Sequence, residues 1–225
     1  HVTIVEFVSQ LLPGNDPEIV AFVEKKAHAL GMTIYLEAGV EKTTVENGRV
    51  NVVIASKEKG KLTLVGDNVL VAVGRRPNTG GLRLENTKVR LDENGFIQVD
   101  AQMRTIDPSL FAIGDIVGHP MLAHKASRQG KVAAEVIAGK QSAFDNRAVP
   151  AVVFTDPEIA AVGLSETEAK AQGHEVTIGS FPFQALGRAL TLNKMEGMTK
   201  LVTELLCLFR LFVFPLITMN TDIIY

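Results

Sequence analysis

The 225-residue chain contains a single cysteine, Cys207, and no tryptophan. With one cysteine the chain cannot form a disulfide within itself or a paired-cysteine metal site, which fits a reducing compartment. The histidines have no spacing typical of metal ligands, so we expect no bound metal. The 23 basic and 25 acidic residues nearly balance, at a net charge of -2, which argues against nucleic-acid-binding and membrane-surface proteins.

The sequence also lacks a long uninterrupted apolar segment. The apolar stretch at residues 205–219, LLCLFRLFVFPLITM, contains Arg210 and Pro215 and is shorter than the roughly 20 residues that a membrane-spanning helix needs. Because the composition changes abruptly after Glu204, residues 205–225 are interpreted as a divergent apolar tail. The first residues, HVTIVEF, lack an initiator methionine and a signal-peptide pattern, which favours a chain that begins inside a domain and is not secreted.

The first third of the chain alternates between strand and helix patterns. A strand at residues 1–7 leads to a helix that begins at Pro17, after the N-cap Asp16, and ends before Gly31. Further strands are predicted at residues 32–40, 50–56, 61–65 and 68–74, the middle two as a hairpin. The last, NVLVAVG, is a continuous apolar run typical of a strand buried on both faces. This alternation predicts a doubly wound α/β region, here an incomplete Rossmann-like fold.

The rest of the chain predicts shorter elements. Two short strands, GFIQVD and LFAIGD, precede a helix at residues 121–138 that is stopped by Gly139. Two more strands flank a TDP turn, and a small helix follows with Ser165 as N-cap and Glu168 at the capping-box position. Strands at EVTIGSFPF and MTKLVTE complete a separate α+β piece.

Glu6 ends the first strand. Nucleotide-binding βαβ units place an acidic residue at the end of their second strand, where it accepts hydrogen bonds from the adenosine ribose. The glycine fingerprint of such a unit lies about 20 residues earlier, which here is before residue 1, so a solvated acid at a strand end remains the alternative. A carboxylate at this position repels a 2′-phosphate, which favours NAD over NADP.

Gly74 ends the apolar run, and its lack of a Cβ allows a ligand to approach the backbone closely. The adjoining Arg75 and Arg76 either attract phosphates or form a solvated basic turn. The breaker-rich turn GRRPNTGG that contains them marks the first domain boundary.

Asp115 follows Gly114 at the end of an apolar strand, the edge at which open α/β sheets bind ligands. A carboxylate there accepts hydrogen bonds from a ribose or polyol. The next helix, from about residue 121, directs free N–H groups at anionic atoms such as N1 and O2 of a reduced flavin. The alternative is an aspartate turn that caps the helix. Since no nucleophile or paired carboxylates stand out, we assign no catalytic residue.

Five segments occur in the order found in dihydrolipoamide dehydrogenases, which the chain resembles over residues 1–204. They are VTIVEF, VLVAVGRRPNT, LFAIGDIVGHPMLAHKASRQG, VPAVVFTDPEIAAVGLSETEAK, and FPFQALGRAL with GMTKLV. This resemblance identifies the chain as a flavoprotein pyridine nucleotide-disulfide oxidoreductase. Such enzymes pass electrons from protein-bound dihydrolipoamide through a redox-active disulfide and FAD to NAD.

The resemblance implies binding positions for both cofactors. They are Glu6, Val40 and Gly74 for NAD, and Gly114, Asp115, Met121, Leu122, Ala123 and His124 for FAD. Among them, Glu6 corresponds to the NAD ribose ligand and Asp115 to the ligand of the FAD ribityl chain. The implied domains are an incomplete NAD-binding domain (1–81), the last part of the FAD-binding domain (82–148), a truncated dimerisation domain (149–204) and the tail (205–225).

The resemblance further implies a homodimer whose partner is the lipoyl-bearing protein of a 2-oxoacid dehydrogenase complex or of the glycine cleavage system. The implied compartment is the cytoplasm of a bacterium or the mitochondrial matrix of a eukaryote. The family's redox cysteines and catalytic histidine find no match, so we expect the 225 residues alone to be inactive. Two alternatives stay open: a sister flavin disulfide or mercuric reductase, and a non-catalytic nucleotide-binding remnant.

Overall fold

The computed structural model describes residues 1–204 of the chain. The tail predicted at residues 205–225, which includes Cys207, lies outside the described residues. The described residues form two compact units: residues 1–70 together with residues 152–204, and residues 71–151. Each unit has its own buried apolar core.

The first unit begins with a βαβ motif. Strands β1 (Thr3–Val5) and β2 (Thr33–Tyr35) pair in parallel, and helix α1 (Pro17–Ala29) connects them. The predicted helix start is confirmed, because the Asp16 side chain accepts a hydrogen bond from the Glu18 amide at 2.9 Å. The buried residues of the core beneath α1 are Leu11, Val20, Val23 and Ile159.

A three-stranded antiparallel sheet follows in the same unit. Its strands are β3 (Ala38–Glu46), β4 (Arg49–Ser56) and β5 (Gly60–Gly66), paired in sequence order. The pairing of β4 with β5 confirms the predicted hairpin. The single strand predicted at residues 32–40 is wrong, because Glu37 has a φ of +47° and separates β2 from β3.

The apolar run at residues 68–74 forms no strand, so the prediction of a strand buried on both faces is wrong. Leu70 is 90% exposed and Val73 is 94% exposed. A strand is buried on both faces only where a sheet is covered on both sides. The parallel sheet of β1 and β2 has only these two strands, and the run joins neither. Within residues 1–204 the predicted Rossmann-like region is therefore limited to one βαβ unit, and it is not doubly wound.

Helix α2 (Ala123–Ile137) is the main element of the second unit. Its predicted end is confirmed, because Gly139 has a φ of +80° and its amide donates to the Val136 carbonyl at 3.0 Å. Two single turns of 3₁₀ helix, Leu84–Asn86 and Gly114–Val117, precede it. The buried residues of this core are Met103, Val132, Ala133 and Val136.

The strands predicted at GFIQVD and LFAIGD are wrong, since this region contains only isolated bridges. Aspartate side chains here bind backbone amides that a ladder would otherwise use. Asp92 accepts from the Phe96 amide at 2.9 Å, and Asp100 accepts from the Arg104 amide at 2.9 Å. Such local bonds offer the backbone an alternative to sheet pairing.

The chain returns to the first unit near residue 152 and forms the remaining helices and strands, all of them predicted except the short helix that begins at Gly187. They are β6 (Ala151–Val153), β7 (Ile159–Ala161), α3 (Glu166–Ala171), β8 (Val176–Pro182), α4 (Gly187–Thr191) and β9 (Met198–Glu204). Strands β8 and β9 pair antiparallel. The capping box is confirmed, because Ser165 and Glu168 each accept a hydrogen bond from the other's amide.

Lys200 in β9 is a buried cation that connects three elements of the first unit. Its side chain is 7% exposed, and Nζ lies 2.9 Å from carboxylate oxygens of Asp16, Glu18 and Glu166. Two of these carboxylates belong to the start of α1 and the third to α3. One ammonium therefore joins β9 to the ends of two helices.

The α/β class predicted from the sequence is confirmed. Helices and both parallel and antiparallel strand pairs occur within residues 1–204. None of the helices in that range is both long enough and apolar enough to cross a bilayer.

Candidate functional site

A tight turn in the second unit positions Asp115. Gly114 begins the 3₁₀ turn with a φ of +82°, a conformation that strongly favours glycine. A Cβ at Gly114 would lie 3.2 Å from the Cβ of Ala126 on α2. On the facing side, a Cβ at Gly130 would lie 3.2 Å from Cδ1 of Ile113. Two glycines therefore let the turn pack directly against α2.

Asp115 lines a cavity of about 320 Å³. Oδ2 accepts a hydrogen bond from Nη1 of Arg75 at 3.3 Å, and the side chain remains 47% exposed. The segment from Arg75 to Asn78 lines one part of the cavity, and Ile116 and Met121 line another. The site therefore places one carboxylate and one guanidinium beside an apolar side chain.

The N-terminus of α2 lies beside this turn and carries no side-chain cap. Its N-cap is Leu122, and the first helical residues are Ala123 and His124. The first intrahelical bond runs from the Ala126 amide to the Leu122 carbonyl, so the amides before it are not used by the helix ladder. Asp115 therefore does not cap α2, which removes the alternative of a simple capping turn.

His124 is anchored within the second unit. Its Nε2 lies 2.6 Å from the Pro150 carbonyl. Because a carbonyl oxygen only accepts, Nε2 carries the hydrogen in this contact.

Gly74 has a φ of +122°, and no atom lies within 4 Å of the point that a Cβ would occupy. Its backbone conformation therefore favours glycine, and crowding does not.

The remaining two predicted positions, Glu6 and Val40, belong to the first unit. Glu6 directly follows β1, and its amide donates to the Tyr35 carbonyl at 2.8 Å. Its Oε1 accepts from the Val8 amide at 3.1 Å. Val40 is an exposed residue of β3, beside the irregularity between Val40 and Lys42. The structure thus gathers the predicted FAD positions around one turn. In the first unit, the Glu6 carbonyl accepts a hydrogen bond at 3.0 Å from the amide of Ala38, which begins the strand that contains Val40.

Sequence reasoning missed two buried polar residues of α2. Lys125 is 3% exposed and Gln129 is 5% exposed. Burial lowers the pKa of the Lys125 ammonium from its ordinary value, and the Asp115 carboxylate acts in the opposite direction. The detectable signal was their spacing, since both occupy the helix stripe that otherwise holds Val132, Ala133 and Val136.

Replacing Gly114 with alanine should lower the free energy of unfolding by about 1–3 kcal/mol, because the left-handed φ and the close approach to α2 both oppose a Cβ. The matched control is Gly139→Ala, since Gly139 has nearly the same φ and nothing near a Cβ. Denaturant unfolding of both variants measures the difference. Equal losses in the two variants would show that packing against α2 contributes nothing.

Within residues 1–204, no group of three or more histidine, cysteine, aspartate or glutamate side chains is arranged to hold a metal ion. The Asp115 turn combines three features that can contact a polar ligand. It offers a hydrogen-bond acceptor, a cation and unused amides.

Family models match most of the chain. A model of the pyridine nucleotide-disulphide oxidoreductases matches residues 1–130, and a model of the dimerisation domain of these proteins matches residues 149–205. The curated relatives include a dihydrolipoyl dehydrogenase of Thermus scotoductus, 46% identical over 91% of this chain and 44% of the relative. A dihydrolipoyl dehydrogenase of Geobacillus stearothermophilus is 46% identical over 90% of this chain and 43% of the relative. The chain therefore spans less than half the length of these relatives.

Solved structures of similar fold include a flavoprotein disulfide reductase, in agreement with the family models. The HOCl-induced flavoprotein disulfide reductase RclA from Escherichia coli matches 90% of this chain and 46% of its own, with a TM-score of 0.80 and 29% identity. LpdA from Mycobacterium tuberculosis matches 90% of this chain and 44% of its own, with a TM-score of 0.79 and 29% identity.

Proposed function

Because the chain belongs to the pyridine nucleotide-disulphide oxidoreductase family, we propose that it is part of a dihydrolipoyl dehydrogenase that binds FAD at the Asp115 turn. The observation that carries the proposal is the half-exposed Asp115 carboxylate beside the uncapped N-terminus of α2. The 46% identity to dihydrolipoyl dehydrogenases, against 29% to RclA, favours this activity over that of a sister disulfide reductase.

The chemistry of the turn fits FAD. The Asp115 carboxylate accepts hydrogen bonds from ribityl hydroxyls, and the Arg75 guanidinium attracts the pyrophosphate. The positive end of α2 favours the electron-rich N1–O2 edge of the flavin ring, and Met121 offers an apolar contact. A volume of about 320 Å³ is at the lower end of the range for ligand pockets.

Bound FAD supplies two-electron transfer between a dithiol and NAD. The residues of this chain bind and orient the cofactors, and we assign no catalytic residue among them. The single cysteine cannot form a disulfide within the chain, so the isolated 225 residues should not oxidise dihydrolipoamide.

We assign NAD binding to Glu6, Val40 and Gly74. A carboxylate accepts several hydrogen bonds, so the contact of Glu6 with the Val8 amide leaves capacity for ribose hydroxyls. Its negative charge opposes a 2′-phosphate, so NAD should bind more tightly than NADP. These positions belong to the proposed NAD-binding domain at residues 1–81.

The rest of the proposal concerns the parent enzyme. Residues 82–148 form the last part of its FAD-binding domain and residues 149–204 part of the domain through which it forms homodimers. Its partner is a lipoyl-bearing protein of a 2-oxoacid dehydrogenase complex or of the glycine cleavage system. It acts in the bacterial cytoplasm or the mitochondrial matrix.

A titration of the purified 225-residue chain tests the proposal. FAD fluorescence should change in a saturable manner at one FAD per chain, and NAD should compete poorly with it because the two ligands use different positions. Titration with NAD and NADP in parallel should give the tighter dissociation constant for NAD. No saturable FAD response from folded protein would overturn the FAD assignment, and equal affinities for NAD and NADP would overturn the role of Glu6.

A further inference from the structure

Two side chains of α2 hold the two ends of the Asp115 turn. Oε1 of Gln129 accepts a hydrogen bond from the Gly114 amide at 2.8 Å. Nζ of Lys125 donates to the Gly118 carbonyl at 2.5 Å. The two side chains lie four residues apart, so they project from the same face of the helix. One helix face therefore binds the backbone immediately before and after Asp115.

Neither contact serves secondary structure. The Gly114 amide begins a 3₁₀ turn and has no ladder partner, and the Gly118 carbonyl follows the last residue of that turn. Burying a lysine and a glutamine in a helix stripe costs free energy unless their polar atoms are bonded. Apolar residues at these positions would pack with the core but would form no hydrogen bond to the Gly114 amide or the Gly118 carbonyl.

Lys125 also places a positive charge near the carboxylate. The Asp115 carboxylate counteracts the effect of burial on the Lys125 pKa, which reports their electrostatic attraction. This attraction acts from the helix side, and Arg75 contacts Oδ2 at 3.3 Å from the cavity side. The carboxylate thus interacts with two cationic side chains, Lys125 and Arg75.

The geometry points to Lys125 and Gln129 as positioning residues that fix the Gly114–Gly118 turn so that Asp115 faces its ligand. This inference rests on the proposed function, because the ligand in question is FAD. Neither residue needs to touch FAD. They act by fixing the backbone on both sides of Asp115, which lowers the cost of ordering the turn when the ligand binds.

The test is a set of FAD titrations on the full chain. Circular dichroism first establishes that each variant is folded under the conditions of the titration. Lys125→Met and Gln129→Leu should each weaken FAD binding by about fivefold to twentyfold, the loss of one hydrogen bond to a turn that must then be ordered on binding. Gln129→Glu should restore most of the affinity because it keeps an acceptor oxygen for the Gly114 amide. The matched control is Lys131→Met, since Lys131 is an exposed lysine of the same helix.

A double-mutant cycle with Asp115→Ala separates positioning from a general effect on the fold. In the Asp115→Ala background, Lys125→Met and Gln129→Leu should change FAD affinity by less than about twofold, because their action passes through Asp115. Full additivity would overturn the inference. A variant that does not fold is replaced by its milder counterpart, Lys125→Gln or Gln129→Asn, and is judged by the same cycle.

The outcomes distinguish this inference from the proposed function. If Asp115→Ala weakens FAD binding and the two α2 variants do not, the positioning role is wrong and the FAD site stands. If the chain binds FAD measurably and Asp115→Ala does not change that affinity, the FAD assignment is wrong. The positioning role of Lys125 and Gln129 is then wrong as well.

Discussion

Replacing Asp115 with alanine is expected to weaken FAD binding by about tenfold to a hundredfold, because hydrogen bonds to a charged group contribute about 1.5–3 kcal/mol. Asp115→Asn should lose less affinity, since the amide keeps one acceptor oxygen for a ribityl hydroxyl. Fluorescence titration of both variants against the wild-type chain measures the change. The side chain is half exposed and its ion pair with Arg75 lies at the surface, so the melting temperature should change little.

The matched control for this experiment is Asp145→Asn. Asp145 is an exposed aspartate of the same unit, so its substitution removes the same charge at a distance from the cavity. Wild-type affinity in the control and a clear loss in Asp115→Ala would locate the effect at the turn. Equal losses in both variants would mean that net charge, and not a specific contact, governs FAD binding.

Replacing Lys200 with methionine is expected to lower the free energy of unfolding by about 2–3 kcal/mol, because it leaves a cluster of carboxylates without its buried cation. The three carboxylates lie 2.9 Å from Nζ. Chemical denaturation at neutral pH measures the loss. The matched control is Lys194→Met, an exposed lysine of the same unit, which should change stability by less than about 0.5 kcal/mol.

The pH dependence of stability gives this prediction a second readout. Hydrogen bonds from Lys170 and Lys200 lower the pKa of Glu166 from 4.5 to about 2. A carboxylate whose pKa is lowered in the folded state stabilises the fold above its unfolded pKa, and this contribution is lost as pH falls from about 4.5 towards 2. Removing one of the two donors should make the acid loss of stability shallower in Lys200→Met. An unchanged acid slope would contradict the role of Lys200 at Glu166.

At alkaline pH the contribution of Lys200 to stability is lost as pH rises, the opposite direction to that of Glu166. Burial acts to lower the pKa of Lys200, but its hydrogen bonds to Glu166, Asp16 and Glu18 outweigh burial and raise the pKa above the ordinary 10.5. A raised lysine pKa stabilises the fold below pH 10.5, and the contribution is lost only as pH rises beyond that value. The cluster therefore remains intact throughout the neutral range.

Local chemistry explains which elements could be predicted from the sequence. Asp16 before Pro17 and the Ser165–Glu168 capping box satisfy helix amides within one turn, so their signals need no information from the rest of the fold. The hairpin of β4 and β5 is similarly a short-range structure. These elements agree with the prediction because their partners are close in sequence.

The errors concern elements that depend on distant partners. The run at residues 68–74 has the composition of a buried strand, but no ladder partner for it occurs among residues 1–204. The strand predicted at GFIQVD is replaced by an aspartate turn, in which Asp92 binds the Phe96 amide, and LFAIGD forms only the isolated bridge of Phe111 with Arg104. The spacing of Lys125 places it in the buried stripe of the helix, but its bonding partner, the Gly118 carbonyl, is identified only from the structure.

The family could be read from the sequence, and the comparisons confirm it. The α/β class is confirmed as well. The roles of Glu6, Val40, Gly74 and the residues around Asp115 stay predictions, because each depends on a ligand contact. What the structure adds is the mutual position of Asp115, Arg75 and Met121 at one cavity.

Hydrogen–deuterium exchange of the full chain with and without saturating FAD tests the central claim most directly. Bound FAD should slow exchange in peptides covering residues 112–126, the Asp115 turn and the start of α2, and leave the β4–β5 hairpin unchanged. Unaltered exchange at residues 112–126 in the FAD-saturated chain, or slowing confined to other segments, would contradict the claim that this turn receives the cofactor.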